Sequence, residues 1–195
     1  MSPILGIWSS AQQAASIPTS FDSIQAVTIG TGGQSTVEFN SIPSTYTHLQ
    51  VRVFGQTNRS TYGLDSVLFS VNNDTSGSNY TYHLLQGDGS TPSSAGRTGT
   101  DTTAQFAWAL GTTTGSNWGI GIIDILDYAN TNKYKTIRSA GGVDTNGTVG
   151  GIGGTVGMGS NLWLNTAAIT SIRIQPFVGG LFSQNSSFAL YGIKG

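Results

Sequence analysis

Residues that favour helices are scarce in this chain, and their scarcity restricts the fold more than any other feature. Glu38 is the only glutamate among 195 residues, and lysine occurs only three times. Apolar residues show almost no helical spacing, whereas short β-branched and aromatic runs alternate with turn residues from Ile24 onward. The sequence therefore predicts an all-β protein.

The predicted strands are short and evenly distributed along the chain. Alternation is clearest where Leu49, Val51 and Val53 share one face of a strand and polar residues occupy the other, which indicates one buried face. About ten strands at this spacing are typical of an antiparallel β-sandwich or a jelly roll. The runs with strand composition are residues 24–29, 35–40, 46–56, 64–72, 80–86, 103–110, 118–128, 134–143, 162–164, 169–177 and 187–193.

Two local patterns predict how particular strands are placed. Residues 119–128 are apolar on both faces, which predicts a central strand or a strand that meets a partner subunit. Thr31, Gly32 and Gly33 supply the positive φ angles of a tight turn. Residues 24–40 are therefore predicted to form a hairpin.

Two segments fall outside the sandwich pattern. Residues 1–20 begin with an apolar patch and continue as a small, polar stretch, which predicts an N-terminal anchoring arm before a β-sandwich domain at residues 21–195. The alternative for the arm is a disordered terminus. Residues 141–159 contain nine glycines and need a neighbour to be ordered, because each ordered glycine costs roughly 0.5–1 kcal/mol relative to alanine. Residues 87–115 are predicted to form a long surface stretch.

The composition excludes several classes of function. Charged residues make up 9% of the chain and the net charge is -1, whereas charged residues form roughly 25% of an ordinary soluble protein. Such a surface lacks the positive field that attracts nucleic acids, so no nucleic-acid partner is expected. Neither a membrane span nor a secretory signal is expected, because long apolar runs are missing and no basic residue precedes Arg52. A polar, uncharged exterior favours a subunit of a larger assembly.

Residues that carry chemistry are too few and too scattered to predict an enzyme. The chain has no cysteine, so disulfides and thiolate sites are excluded. His48 and His83 are the only histidines, and Asp124 and Asp127 point to opposite faces of one strand, so no paired-carboxylate centre is expected. The glycine-rich run at residues 150–159 lacks the lysine of a phosphate loop. The chain is therefore predicted to be non-enzymatic, with no cofactor and no metal site.

The apolar patch of the arm is the first candidate binding site. It consists of Ile4, Leu5, Ile7 and Trp8. Burial of a large apolar side chain is worth about 1.5–3 kcal/mol. These residues are therefore predicted to insert into a hydrophobic groove of a neighbouring protein, where several copies of the arm would act together by avidity.

Aromatic residues near polar loops form the second candidate site. Trp108 and Trp118 flank a Gly/Thr-rich loop, and Tyr62 lies near Asn58 and Arg59. A ring face stacks on the C–H groups of a sugar while amide side chains bond its hydroxyls, so these rings are candidate glycan contacts. The alternative is that the rings fill the core or an interface.

Several stretches, taken together, resemble a widespread group of tailed-bacteriophage virion proteins, described as tail, fibre or structural proteins. The resemblance spans nearly the whole chain, and this group has no catalytic motif to transfer. The stretches that carry it are residues 1–7, 41–50, 123–136, 165–172 and 187–195.

The resemblance implies a β-sandwich of jelly-roll type that is attached to a phage particle as a homotrimer. It places the protein in the virion, assembled in the host cytoplasm, with the major capsid protein or tail proteins as partners. Because the sequence shows no long shaft, a capsid decoration or cement protein held by its N-terminal arm is favoured. The alternative is a tail or fibre protein that binds a receptor, such as a glycan, at the host surface.

Overall fold

The computed structural model describes residues 20–106, 108–149, 152–178 and 180–195. The arm predicted at residues 1–20 therefore lies outside the described residues, apart from Ser20. Across the described ranges, the regular elements are β-strands and no helix occurs. The predicted all-β class is confirmed.

The strands are numbered here in chain order. They are β1 (Phe21–Thr28), β2 (Val37–Phe39), β3 (His48–Thr57), β4 (Leu64–Asp65), β5 (Val67–Val71), β6 (Tyr80–Gly87), β7 (Pro92–Asp101), β8 (Leu110–Thr112), β9 (Gly119–Ile125), β10 (Lys135–Val149), β11 (Ile152–Trp163), β12 (Ile172–Pro176) and β13 (Ser187–Ile193).

Two sheets form an antiparallel β-sandwich. The large sheet has the order β1-β13-β3-β9-β10-β11-β6-β7, and the small sheet has the order β2-β12-β5. The short strand β8 pairs in parallel with the end of β3 and antiparallel with β4. Alternate residues of β3, β9 and β13 are buried and pack against the buried residues of β2, β5 and β12 in one hydrophobic core.

The central part of the sandwich has jelly-roll connectivity. Strands β1, β13, β3 and β9 lie side by side in the large sheet, and β2, β12 and β5 lie side by side in the small one. Ala104 continues the small sheet through a bridge to Phe69 of β5. Counted along the chain, these eight segments give the orders 1-8-3-6 and 2-7-4-5, which is the arrangement of a double-sheet jelly roll.

Two inserted hairpins widen the large sheet beyond β9. One is β10–β11, and the other is β6–β7, which pairs with β11. The glycine-rich residues 141–149 and 152–159 therefore lie in the two strands of a β-hairpin, flanked by β9 and β6. The neighbour that this segment needs is supplied by its own chain.

Trp108 explains two glycines in this part of the large sheet. Its fully buried indole lies against the inner face of the large sheet, where Gly121 of β9 and Gly141 of β10 are paired in register. A Cβ on Gly141 would lie 2.8 Å from the indole Cγ, and a Cβ on Gly121 would overlap the ring. The close backbone approach requires glycine at both positions.

Three sequence predictions about the strands are wrong. Residues 24–40 do not form a hairpin, because β1 pairs with β13 and β2 pairs with β12 in the other sheet. Gly32 and Gly33 do adopt positive φ, but their turn carries the chain between sheets. The predicted strand at residues 103–110 is reduced to a bridge at Ala104 and the start of β8, and Leu162 and Trp163 end β11 instead of forming a strand of their own. Residues 88–98 are exposed, as predicted for the stretch 87–115, but Phe106 and Trp108 of that stretch are buried.

Candidate functional site

The solvent-exposed face of the large sheet carries a continuous apolar surface, which we call the outer face. Register places Phe54, Ile120, Gly142 and Val156 in one row across β3, β9, β10 and β11. The next row contains Ile122, Ala140, Met158 and Leu85. The large exposed side chains of the outer face are Phe54, Leu85, Ile120, Ile122, Val156 and Met158.

A groove runs along the outer face between β9 and β11. Its floor is low because Ala140 and Gly142 occupy β10 between the large side chains of the two neighbouring strands. Ile120 and Val156, which are 60% and 66% exposed, stand on opposite sides of this floor. The groove has a volume of about 940 Å³. Its lining is mostly apolar, so water in it is readily displaced by an apolar partner.

Charges lie at the two ends of the outer face. Asp88 and Asp144 line the groove at one end. Along β10, Arg138 is exposed three rows away from Asp144, and Arg52 is exposed on β3. Arg138 forms no ion pair with any residue that the structure describes. Asp124 lies opposite Arg138 in the register, so the outer face combines an apolar centre with an acidic end and an end of mixed charge.

Asp88 is fixed by the turn between β6 and β7. Its Oδ1 accepts hydrogen bonds from the backbone N–H groups of Ser90 and Thr91, at 2.9 and 2.8 Å, and from the Ser90 hydroxyl at 3.0 Å. These bonds, led by the one from Thr91, lower the pKa of Asp88 to about 2. Asp88 is therefore ionised at any physiological pH, and these bonds fix the orientation of its carboxylate.

A second recess, which we call the Tyr62 cavity, adjoins the groove. It lies between the segment that follows β3 and the β6–β7 turn, and it has a volume of about 450 Å³. Asp88, Gly154 and Thr155 line both recesses, so the two share a wall. The cavity is also lined by Arg59, Tyr62, Gln86, Phe106 and Trp108, among others.

The three aromatic residues proposed from the sequence as glycan contacts occupy different environments. Trp108 is fully buried and stacks on Phe106 at 5.3 Å, so its ring faces are not available to a sugar. Trp118 is partly exposed beside the groove and stacks on Phe54 at 5.0 Å. Tyr62 is 39% exposed at the cavity, with the Arg59 guanidinium 4.5 Å from its ring centroid. The fold therefore brings Trp118 and Tyr62 to adjoining recesses and assigns Trp108 to the core.

The four arm residues proposed from the sequence as partner contacts are Ile4, Leu5, Ile7 and Trp8. They lie outside the described residues, so their role stays a prediction.

The residues considered for catalysis have structural partners. The backbone N–H of Asp127 donates to Nδ1 of His48 at 2.9 Å, and the Asp127 carboxylate accepts from Lys133 at 2.7 Å. Asp124 accepts from Gln50 at 2.8 Å. Among the described residues, no three His, Asp or Glu side chains cluster in a way that could hold a metal ion. The described part of the chain also has no helix long and apolar enough to cross a membrane.

Sequence reasoning missed most of the residues around the Tyr62 cavity. Arg59 lies three residues before Tyr62 in the same loop, as the sequence shows, whereas Gln86 and Asp88 are brought to Tyr62 by pairing of the inserted hairpins, which no local pattern reveals. The only local signal was the Asp-Gly-Ser sequence at residues 88–90, which is typical of a turn whose carboxylate caps backbone N–H groups. The two apolar faces of residues 119–128 indicated that β9 is central or meets a partner, but the extent of the outer face was missed because its other residues come from β3, β6, β10 and β11.

Comparisons with known proteins give little further guidance. No protein-family model matches the chain, and no curated protein matches it. A solved structure of a fructofuranosidase from Schwanniomyces occidentalis, in complex with fructosylnystose, aligns over 92% of this chain and 35% of its own, with 10% identity and a TM-score of 0.27. This chain thus spans about a third of that protein, and a likeness this low carries no argument about activity.

Proposed function

We propose that the protein is a non-enzymatic structural component of a bacteriophage virion. The observation that carries this proposal is the apolar outer face of the large sheet, with six large hydrophobic side chains that the described fold leaves in solvent. A monomer rarely exposes a contiguous apolar surface of this kind unless another molecule covers it. The low charge of the chain and its resemblance to phage virion proteins support the same role.

Within the virion, we favour a capsid decoration or cement protein over a tail protein. A jelly roll with a short arm suits attachment to a shell, because every strand that the structure describes belongs to the sandwich or its inserted hairpins and none of them builds an elongated shaft. In this proposal, Ile4, Leu5, Ile7 and Trp8 anchor the chain in a groove of the major capsid protein, and a homotrimer multiplies the anchors by avidity.

Deletion of residues 1–9 tests the anchor in a phage whose genome encodes this protein. We expect particles that lack the protein, whereas the purified variant keeps the circular dichroism spectrum and melting temperature of the wild type. The matched control is Phe177→Ser, which removes an exposed apolar side chain outside both the arm and the outer face. Particles that incorporate the truncated protein at the wild-type level would refute the anchoring role.

A receptor-binding role at the host surface is the second candidate. The partly exposed Trp118 beside the groove favours it, because an indole braced by Phe54 presents a fixed surface to a sugar ring. Binding of the purified protein to a glycan array, lost in Trp118→Ala and kept in Tyr134→Ala, would support this role. Failure to bind any glycan on the array would remove this support.

A further inference from the structure

We propose that the Tyr62 cavity binds one residue of a neutral saccharide. This inference is independent of where the protein sits on a particle, since it concerns a recess that the structural role does not use. With about 450 Å³, the cavity falls in the size range of ordinary small-ligand sites, about 300–1,000 Å³. It is large enough for a single sugar ring and its first solvent shell.

Two buried donors at the cavity have no partner. The Nε of Arg59 and the Nε1 of Trp108 are inaccessible to solvent, and neither donates a hydrogen bond to any residue that the structure describes. Both residues line the cavity. Buried N–H groups are almost always paired. Because these two atoms have no accessible surface, a ligand could accept from them only after a small movement of the cavity wall. Sugar hydroxyl and ring oxygens are acceptors of the required kind.

The charges around the cavity select against an anionic ligand. The Arg59 side chain donates to the Leu64 carbonyl at 3.1 Å and lies 3.8 Å from the buried carboxylate of Asp65, so its positive charge already has a counterion. Asp88 adds a negative charge at the wall. A ligand with its own carboxylate or phosphate would therefore meet repulsion, whereas neutral hydroxyl groups can donate to Asp88 and Gln86.

The apolar part of the lining suits the face of a sugar ring. Tyr62 keeps 39% of its surface exposed although Arg59 covers one side, so ring surface remains for stacking. Phe106 contributes a largely buried apolar wall. A pyranose presents C–H groups on its faces and hydroxyls at its edge, which matches aromatic walls combined with a few polar groups.

The indole N–H signals of the full chain provide a direct test in solution. The signal of Trp108 is assigned by its loss in Trp108→Phe, and methyl glucoside, methyl galactoside and N-acetylglucosamine are then titrated separately. We expect at least one of these neutral sugars to shift the Trp108 signal in a saturable manner. Glucuronate and sialic acid are expected to bind at least about tenfold more weakly than that sugar.

Two variants and one control make the test specific to the cavity. Tyr62→Ala and Asp88→Ala should each weaken binding at least about tenfold, whereas Tyr134→Ala, which alters an exposed tyrosine elsewhere, should not. Trp118→Ala removes the ring of the neighbouring groove and should leave the Trp108 shift intact. The inference is overturned if no neutral sugar shifts the Trp108 signal, if the anionic sugars bind more tightly, or if binding survives in a well-folded Tyr62→Ala protein.

Discussion

At the scale of single residues, the contact of Trp108 with Gly121 and Gly141 leaves no space for a Cβ atom at either glycine. Gly121→Ala or Gly141→Ala should lower the free energy of unfolding by about 1–3 kcal/mol, because the added methyl group has no space against the indole. Gly87→Ala is the matched control, since a Cβ on this strand glycine meets nothing within 4 Å. Urea denaturation measures all three variants, and equal stability of the Gly141 and Gly87 variants would contradict this account.

Lys135 shows how a buried charge can be held by backbone groups alone. Its side chain is fully buried, and its Nζ donates to the carbonyl oxygens of Asn130, Lys133 and Thr166 at 2.6, 2.7 and 2.9 Å. Burial lowers the pKa of Lys135, although Asp127 opposes this shift. The three bonds tie the turn before β10 to the segment after β11.

Lys135→Met should therefore cost about 3 kcal/mol or more of unfolding free energy, because three carbonyl groups lose their donor. The control Lys133→Met breaks an exposed ion pair with Asp127 and should cost at most about 1 kcal/mol. Thermal unfolding at pH 7 compares the two. A Lys135→Met protein as stable as the control would show that the buried ammonium does not hold this turn.

The lowered pKa of Asp74 predicts how the stability of the fold changes in acid. Partial burial raises the pKa of Asp74, but hydrogen bonds from Trp163 Nε1, Asn79 Nδ2 and the Ser76 N–H outweigh burial and hold the pKa below its ordinary value of 3.8. A carboxylate whose pKa is lower in the folded than in the unfolded chain stabilises the fold at pH values above its unfolded pKa. This contribution is lost as the pH falls through the folded pKa.

Asp74→Asn should accordingly reduce the free energy of unfolding by about 1–3 kcal/mol at pH 7. The difference between wild type and variant should shrink as the pH falls from 5 to 2, because the wild-type carboxylate becomes protonated. Urea titrations across this range measure both proteins. A difference that stays constant with pH would show that the charge of Asp74 contributes nothing.

At the scale of elements, the sequence predicts strands well where one face is buried and poorly where both faces are in solvent. The alternation of Leu49, Val51 and Val53 with polar residues identifies β3, since the two faces of this strand differ in polarity. Strand β7 has no such pattern, because residues 92–98 are exposed on both faces at the edge of the sheet. The sequence predicts a strand at residues 134–143 but not the rest of the hairpin β10–β11, because its pairing with β9 and β6 is not visible in a local pattern.

The contrast between β7 and β9 leads to a prediction about local stability. Strand β9 is paired on both sides and buries alternate residues, whereas β7 is an edge strand with exposed residues. Amides of β7 should therefore exchange with solvent much faster than those of β9, by local opening that leaves the rest of the sandwich intact. Hydrogen exchange followed by mass spectrometry resolves the two strands, and equal protection would contradict the edge position of β7.

The residues of the candidate site were predictable only where a local sequence pattern marks them. Tyr62 and Trp118 could be selected because aromatic residues beside polar loops stand out in a sequence. The sequence left open whether Trp108 is a glycan contact or a core residue, since its burial depends on the pairing of Gly121 with Gly141 across β9 and β10. The Tyr62 cavity also needs the β6–β7 turn, whose position follows from long-range pairing with β11.

At the scale of the whole molecule, we propose that the outer face is a contact surface for other virion proteins. Replacing Val156 and Met158 by serine together should weaken this association, without abolishing it because the arm remains. The fold should stay intact, because both side chains point to solvent. Val178→Ser, at a similar exposure outside this face, is the control. Pull-down with purified capsid protein compares the variants, and unchanged binding by the double variant would exclude the outer face as the contact.

The proposed homotrimer has its own test. Sedimentation velocity of the full chain should show a species of about 61 kDa, three times the 20.3 kDa of one chain. A species that remains at the mass of one chain across the micromolar range would contradict self-assembly before attachment.

A cryo-electron microscopy map of the intact phage particle would show directly whether and where the protein is attached. We expect density for this jelly roll on the capsid shell, with the outer face of β9, β10 and β11 covered by a neighbouring chain. A particle without this density, or one in which the protein is attached with its outer face open to solvent, would refute the proposed role.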